Sequence, residues 1–291
     1  MGAYYFYNEY VYDEDGWQSK SMMVENGRFT RRINDKAPAR EMNTKQFWVG
    51  PGKVYLDIEE PFYQQASLEI NLKKFIYRGC TLILCQLPIR SHSDYKRNFT
   101  SFQKKLTESP IDYMIVPRIP LSQIRPEMVR FFGRQKVPFL LVEQDPLKDG
   151  QKIKWEWIHQ AQSLTKIPLL MLSSSKRTHR QQSVDWPSIA PELDLTLVDA
   201  TELELPLPKK LLRKTGISPY KGELIPHASA DYNLFLFQEN QSIDEPHNFR
   251  YHKAIPEVTV AKGKVIKVNH IVKCRKGNGM YKKVSIPGHF V

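Results

Sequence analysis

Apolar positions change rhythm twice along this chain. Over residues 4–33 they come in short aromatic and β-branched runs: Tyr4–Tyr7, Tyr10–Tyr12, Met22–Val24 and Phe29–Ile33. Turn residues separate them, at Asp13-Glu14-Asp15-Gly16 and at Asn26-Gly27. That spacing predicts consecutive β-hairpins. Asn34–Thr44 is polar and holds Pro38, so it reads as a loop, and Gln46–Val49 as one more short strand.

After Gly50-Pro51-Gly52 the rhythm becomes strand then helix. Lys53–Ile58 predicts a strand, and Phe62–Tyr77 a helix stopped by Gly79. Cys80–Leu87 is a continuous apolar run, as in a strand buried on both faces. Strands follow at Tyr113–Val116, Pro138–Val142, Pro168–Leu172 and Leu193–Val198. Helices fall at Ser93–Leu106, at Ser122–Phe132 (closed by Gly133), at Trp155–Leu164 and at Pro208–Lys214. Six such strands predict a parallel α/β body. A complete eight-fold barrel takes about 250 residues, more than the segment from Lys53 to Thr215 supplies. The tail returns to β: Asn233–Phe237, Val258–Val260, Gly263–Val268 and His270–Val272. The expected architecture is therefore α/β, with a truncated or incomplete (β/α) TIM-like barrel over residues 51–216. Residues 1–50 and 217–291 together would build a small β-sandwich.

Composition adds limits. No stretch approaches the ~18 apolar residues of a membrane span, and residues 1–6 lack the charged and apolar regions of a signal peptide. Cys80, Cys85 and Cys274 make an odd total, which argues against a disulfide framework and points to the cytoplasm. Cys80 and Cys85, on an apolar run, read as buried thiols. The net charge is +12, which suits an acidic partner: nucleic acid, an anionic surface or a small anionic ligand. Diffuse solubilising charge explains it more simply, because the cations are spread along the chain. The densest basic run, Lys273–Lys283, reads as a hairpin around Gly277-Asn278-Gly279, with a nucleic-acid contact as the sharper alternative. Lys209–Lys214 reads as one basic face of a short helix, and Ser173–Arg177 as a solvated loop. A protein partner or a second copy of the chain stays open.

Three stretches carry a family likeness. They are the hairpin Val24–Phe29, the Gly50-Pro51-Gly52 turn, and a tail of four pieces in order: Gly216-Ile217, Lys221–Leu224, Ala228–Phe235 and Val258–Val265. Together they resemble the amidohydrolase superfamily, in particular its cyclic-amidohydrolase and dihydroorotase-like members. The resemblance implies a metal-dependent hydrolase of non-peptide C–N bonds. Its metal site would lie at the C-terminal ends of the barrel strands, opened by a His-x-His pair after the first strand. Zinc-bound hydroxide would be the nucleophile. Counting from Pro51-Gly52 places Asp57 and Glu59 where that pair belongs, and no His-x-His occurs anywhere among the eight histidines.

The scaffold thus looks kept and the zinc site lost, which makes a binding or regulatory pseudoenzyme the expected function, without a cofactor. The alternative is an active hydrolase holding zinc, manganese or magnesium through carboxylates at strand ends. Its candidate residues are Asp57, Glu59, Glu143 or Asp145, and Asp199, with His179 as a further ligand amid repelling cations. Helix capping is the ordinary role of carboxylates at such positions.

Overall fold

The aromatic repeat at the N-terminus forms one long hairpin. In the computed structural model, which describes residues 2–13, 16–32, 39–65, 68–143, 153–173, 193–236, 251–273 and 275–284, β1 (Tyr4–Asp13) pairs antiparallel with β2 (Gly16–Glu25). The sequence suggests two runs where β1 is a single strand, because the polar break at Asn8 is a bulge. The register slips between Asn8 and Val11. The buried Asn8 amide pins the slip: it donates to the carbonyls of Thr44 (2.8 Å) and Phe47 (2.9 Å), and its oxygen accepts the Tyr10 N–H. Asn26 and Gly27, both at positive φ, turn the chain into β3 (Arg28–Thr30). β4 (Arg40–Glu41) and β5 (Phe47–Pro51) then pair alongside β1.

Gly52 is where the chain leaves one sheet for the other. Its N–H donates to the Asp231 carbonyl at 2.9 Å, and a Cβ there would lie 2.3 Å from Thr81 Oγ1 and 2.9 Å from Asp231 Cβ. Only glycine lets the two modules meet this closely. Gly52→Ala is expected to cost about 1–3 kcal/mol, measured as a lower urea midpoint; an unchanged midpoint would contradict this packing.

The body follows as β6 (Lys53–Leu56), a 3₁₀ turn at Phe62–Gln64, α1 (Leu68–Tyr77), β7 (Cys80–Pro88), α2 (Tyr95–Lys105), β8 (Asp112–Pro120), α3 (Pro126–Arg134), β9 (Leu140–Glu143), α4 (Trp155–Thr165), β10 (Leu169–Ser173), β11 (Leu195–Asp199), α5 (Ala200–Leu203) and α6 (Lys209–Lys214). The expected helix from Phe62 is shorter, because its first residues make the separate 3₁₀ turn. Gly133 lies inside α3 and does not end it; a Cβ there would sit 2.3 Å from Thr165 Cβ, so the glycine lets α3 and α4 approach.

β6 to β11 form a parallel sheet in sequence order, a curled half-barrel. Side chains alternate between its faces. On β7, Ile83 and Cys85 pack outward with Phe75, Phe99 and Phe132 of the helices. Leu82 and Leu84 pack inward. No further parallel strand closes the inner face among the described residues. Leu203, Leu207, Leu211 and Leu212, on and around α5 and α6, fill it instead, with Ile217 and Val284. The leucine faces of these two short helices thus cover the inner side of the half-barrel.

The tail supplies β12 (Tyr232–Leu236), β13 (Val258–Ala261), β14 (Lys264–Val268) and β15 (Ile271–Val272). β12 pairs with β5, so both chain ends join one nine-stranded sheet ordered β15-β14-β13-β12-β5-β1-β2-β3, with β4 beside β1. That sheet folds over itself. β3 and β12 are separated by three strands, roughly 19 Å in a flat sheet, yet the Phe29 and Tyr232 rings are 6.2 Å apart. The Phe29 N–H donates to the Ala228 carbonyl and the Ala230 N–H to the Gly27 carbonyl, closing the fold.

Residues 275–284 do not form the expected hairpin. They run as a strap beside the first half of β8, where β9 has not yet begun to pair. The Tyr113 backbone N–H donates to the Met280 carbonyl (3.1 Å), and the Tyr113 carbonyl accepts from the Lys282 N–H (2.8 Å). A buried ion cluster binds the strap, the sheet and the body. Lys221 pairs with Asp112 at 3.0 Å and with Asp231, and Lys262 reaches Asp112 at 2.5 Å. Burial opposes charge on Lys221, but Asp231 and Asp112 hold its pKa above the ordinary value.

Candidate functional site

In a parallel α/β sheet, the C-terminal strand ends carry the side chains that can face a ligand. Here four neighbouring ends are joined by one hydrogen-bonded chain. Asp57 follows β6 and is fully buried. Its Oδ2 accepts the Phe62 N–H at 2.8 Å and its Oδ1 the Gln86 N–H at 2.7 Å. The Gln86 side-chain amide, on β7, donates to the Asp57 carbonyl at 2.5 Å. Gln86 Oε1 in turn accepts from Arg118 Nη1, on β8, at 2.8 Å. Arg118 Nη2 pairs with Glu143 at the end of β9. Burial raises the Asp57 pKa to about 8, against the pull of the Phe62 and Gln86 N–H donors.

The candidate residues are not gathered into one site. Asp57 and Glu143 lie on the chain just described, joined only through Gln86 and Arg118. Glu59 is exposed, on a surface cleft with Glu60, Lys74 and Glu204. Asp199 caps α5: its Oδ1 accepts the Thr201 N–H at 2.9 Å and the Thr201 hydroxyl at 3.0 Å, and these bonds hold its pKa below the usual carboxylate range. His179 and Asp145 lie outside the described residues. Gln86 and Arg118 are absent from the sequence-based candidates. Their signal was present as a lone amide and a lone guanidinium near the C-terminal ends of largely apolar strands.

This donor set does not fit a divalent cation. Both Asp57 oxygens are taken by backbone N–H groups, and a guanidinium, which repels a dication, stands between the two carboxylates. Among the described residues, no group of three or more His, Cys, Asp and Glu is placed to hold a metal. Other reactive candidates are also engaged. Cys80 and Cys85 are buried, and burial pushes the Cys80 thiol up to about 12 and Cys85 well above its ordinary value. Around α6, Lys209 pairs with Asp13, Arg213 with Glu223 and Lys214 with Asp194. In the basic strap, Lys276 lies 3.4 Å from Glu69 and Lys282 3.5 Å from Asp112.

The half-barrel and its folded sheet have solved counterparts. A dihydropyrimidinase from Brevibacillus agri superposes with a TM-score of 0.60 at 11% identity, covering 97% of this chain and 99% of that one. A D-hydantoinase from Thermus sp. gives 0.59 at 13% identity, covering 98% and 100%. A triazine hydrolase variant gives 0.54 at 8% identity, covering 94% and 96%. The fold is amidohydrolase-like. At these identities the likeness is one of fold alone. No family model matches the chain, and no curated protein does. No described helix is long and apolar enough to cross a membrane.

Proposed function

We propose that this chain is a cytoplasmic binding or regulatory protein on an amidohydrolase-like scaffold, without the metal-dependent hydrolase centre. One observation carries the reading: the Arg118 guanidinium spans Gln86 and Glu143 across the strand ends. A hydrolytic metal at this place would polarise the amide carbonyl and lower the pKa of its water. A fixed guanidinium can bind a carboxylate or carbonyl oxygen but generates no nucleophile. Its partners in this reading are a small anionic ligand or a protein.

The competing reading is an active hydrolase of cyclic amides with zinc, manganese or magnesium on Asp57, Glu59 and Glu143. The enclosure of Asp57 and the outward position of Glu59 weigh against it. Protein incubated with each metal is expected to leave hydantoin and dihydrouracil intact. Asp57→Ala should lower stability by about 1–3 kcal/mol, since it strands two buried N–H donors, with no activity to lose. Metal-dependent turnover that disappears in Asp57→Ala would overturn the proposal.

A further inference from the structure

On the outside of the half-barrel, a set of aromatic rings brings three basic segments together. Tyr95 and Phe99 of α2 meet Phe131 of α3 edge-on, with ring centroids 5.3 and 5.9 Å apart. The Phe99 ring lies 6.5 Å from that of Tyr281 in the strap. The Val284 N–H, at the end of the strap, donates to the Lys136 carbonyl just past α3 at 3.0 Å. α2, residues 131–136 and the strap over 275–284 therefore adjoin one another.

Their charge is of one sign. The three segments hold ten Lys and Arg and no Asp or Glu. Folding thus gathers on one face much of a net charge of +12 that the sequence spreads along the chain. Two of the cations are answered from the border: Lys276 by Glu69 and Glu108, and Lys282 by Asp112. Lys96, Arg97, Lys104, Arg134, Lys136 and Lys283 are exposed and make no ion pair among the described residues. The undescribed residues next to these segments in the chain, 274 and 285–291, include no Asp or Glu.

The helix carries the pattern most plainly. Tyr95, Phe99 and Phe102 turn inward. Lys96, Arg97, Thr100, Ser101 and Lys104 are exposed on the opposite face, at helical spacings of four. The Lys96 ammonium is held over the rings of Tyr95 and Phe131 at 5.8 and 5.9 Å. Cations interleaved with hydroxyls are the donors that phosphate oxygens take. From Lys96 to Lys104 the helix rises about 12 Å, the axial length of about three or four phosphates of one strand. An anionic membrane surface would call for exposed apolar side chains among the cations, and Met280 is the only large one exposed on these segments.

We propose that this face binds the phosphate backbone of a nucleic acid without reading its bases. None of its residues belongs to the strand-end network. The test is fluorescence anisotropy of the full chain with labelled oligonucleotides of about 20 nucleotides, single-stranded and duplex, between about 50 and 200 mM salt. The expected dissociation constant at physiological salt is about 10⁻⁶–10⁻⁴ M, insensitive to sequence, and the slope of log affinity against log salt is about −3 or steeper. The form bound more tightly is the preferred one. The triple replacement Arg97→Gln, Lys104→Gln and Lys283→Gln should weaken binding about tenfold or more and flatten the slope by about 2–3. The same loss of charge at exposed positions elsewhere, Lys45→Gln, Lys210→Gln and Lys253→Gln, should leave binding within about twofold. Thermal unfolding checks that both variants fold; if the first does not, Lys104→Gln alone decides, with a slope flatter by about 1. Absence of binding at about 50 mM salt, equal weakening by both triples, or binding only to vesicles with about 30% phosphatidylserine would overturn the proposal.

Discussion

Replacing Lys221 with methionine is expected to destabilise the fold by about 3–5 kcal/mol. The Lys221 side chain is 4% exposed, and its partners Asp112 and Asp231 are 0% and 1% exposed. Asp112 opens β8 and Asp231 precedes β12, so one ammonium joins the half-barrel to the folded sheet. Removing it leaves Asp231 with the Ser229 hydroxyl and the Lys262 N–H but without a cation in its pair, and buried charge without a partner is the costly case. Lys262 and Lys282 still attend Asp112. The double replacement Lys221→Met with Asp231→Leu should therefore recover part of the loss. Urea unfolding of the native chain and both variants checks this. A cost for Lys221→Met no larger than that of an exposed pair, about 1 kcal/mol or less, would show that the cluster does not hold the modules together.

Lys53→Met is expected to do the reverse. Methionine matches the length of the buried stem and carries no charge to desolvate. The ordinary lysine pKa near 10.4 describes the unfolded chain, and the folded value is about 7. Between these values the unfolded chain binds more protons, so native stability rises with pH across that window and levels off at its lower value below about 7. The methionine variant lacks this slope. It should be more stable than the native chain at and below neutrality, by roughly 1–4 kcal/mol, and the gap should close as pH approaches 10. Thermal unfolding of both proteins across that range would show converging curves. Parallel curves would mean that Lys53 is not held in a charge-poor cavity.

The strand-and-helix rhythm was legible because the strands of the body are buried on both faces. Runs such as Cys80–Leu87 have one reading once they alternate with amphipathic stretches. The Gly50-Pro51-Gly52 junction was legible for a similar reason: glycine is needed where two sheets approach. The tail pieces around Lys221-Gly222 and Ala230-Asp231 were visible as a pattern, and the pattern turns out to place the buried lysine and its carboxylate.

Other features depend on contacts between residues far apart in the chain. Gln86 and Arg118 acquire meaning only when parallel register sets β7 and β8 side by side, with Gln86 opposite Val116 and Arg118 opposite Pro88. The strap was read as a hairpin because Gly277-Asn278-Gly279 is turn-like. Gly279 instead lies where a Cβ would meet the Ile111 carbonyl at 1.9 Å, a constraint set by β8 and not by neighbours in sequence. The covering of the half-barrel's inner face by Leu207, Leu211 and Leu212 was hidden likewise, since two leucines in a basic helix do not announce which face of a sheet they will cover. At Asp57 the departure from His-x-His was visible, but what the carboxyl does there was not. Its carboxyl ties the end of β6 to the 3₁₀ turn and to β7.

In the proposed reading, the strand-end network of Asp57, Gln86, Arg118 and Glu143 stands where a hydrolytic metal would otherwise sit. Elemental analysis tests it most directly, on protein purified without chelators, incubated with zinc and manganese, and freed of excess metal by gel filtration. The account predicts well below one equivalent of either metal per chain, unchanged in Asp57→Ala. One or more tightly held equivalents in the native chain, lost in Asp57→Ala, would contradict it.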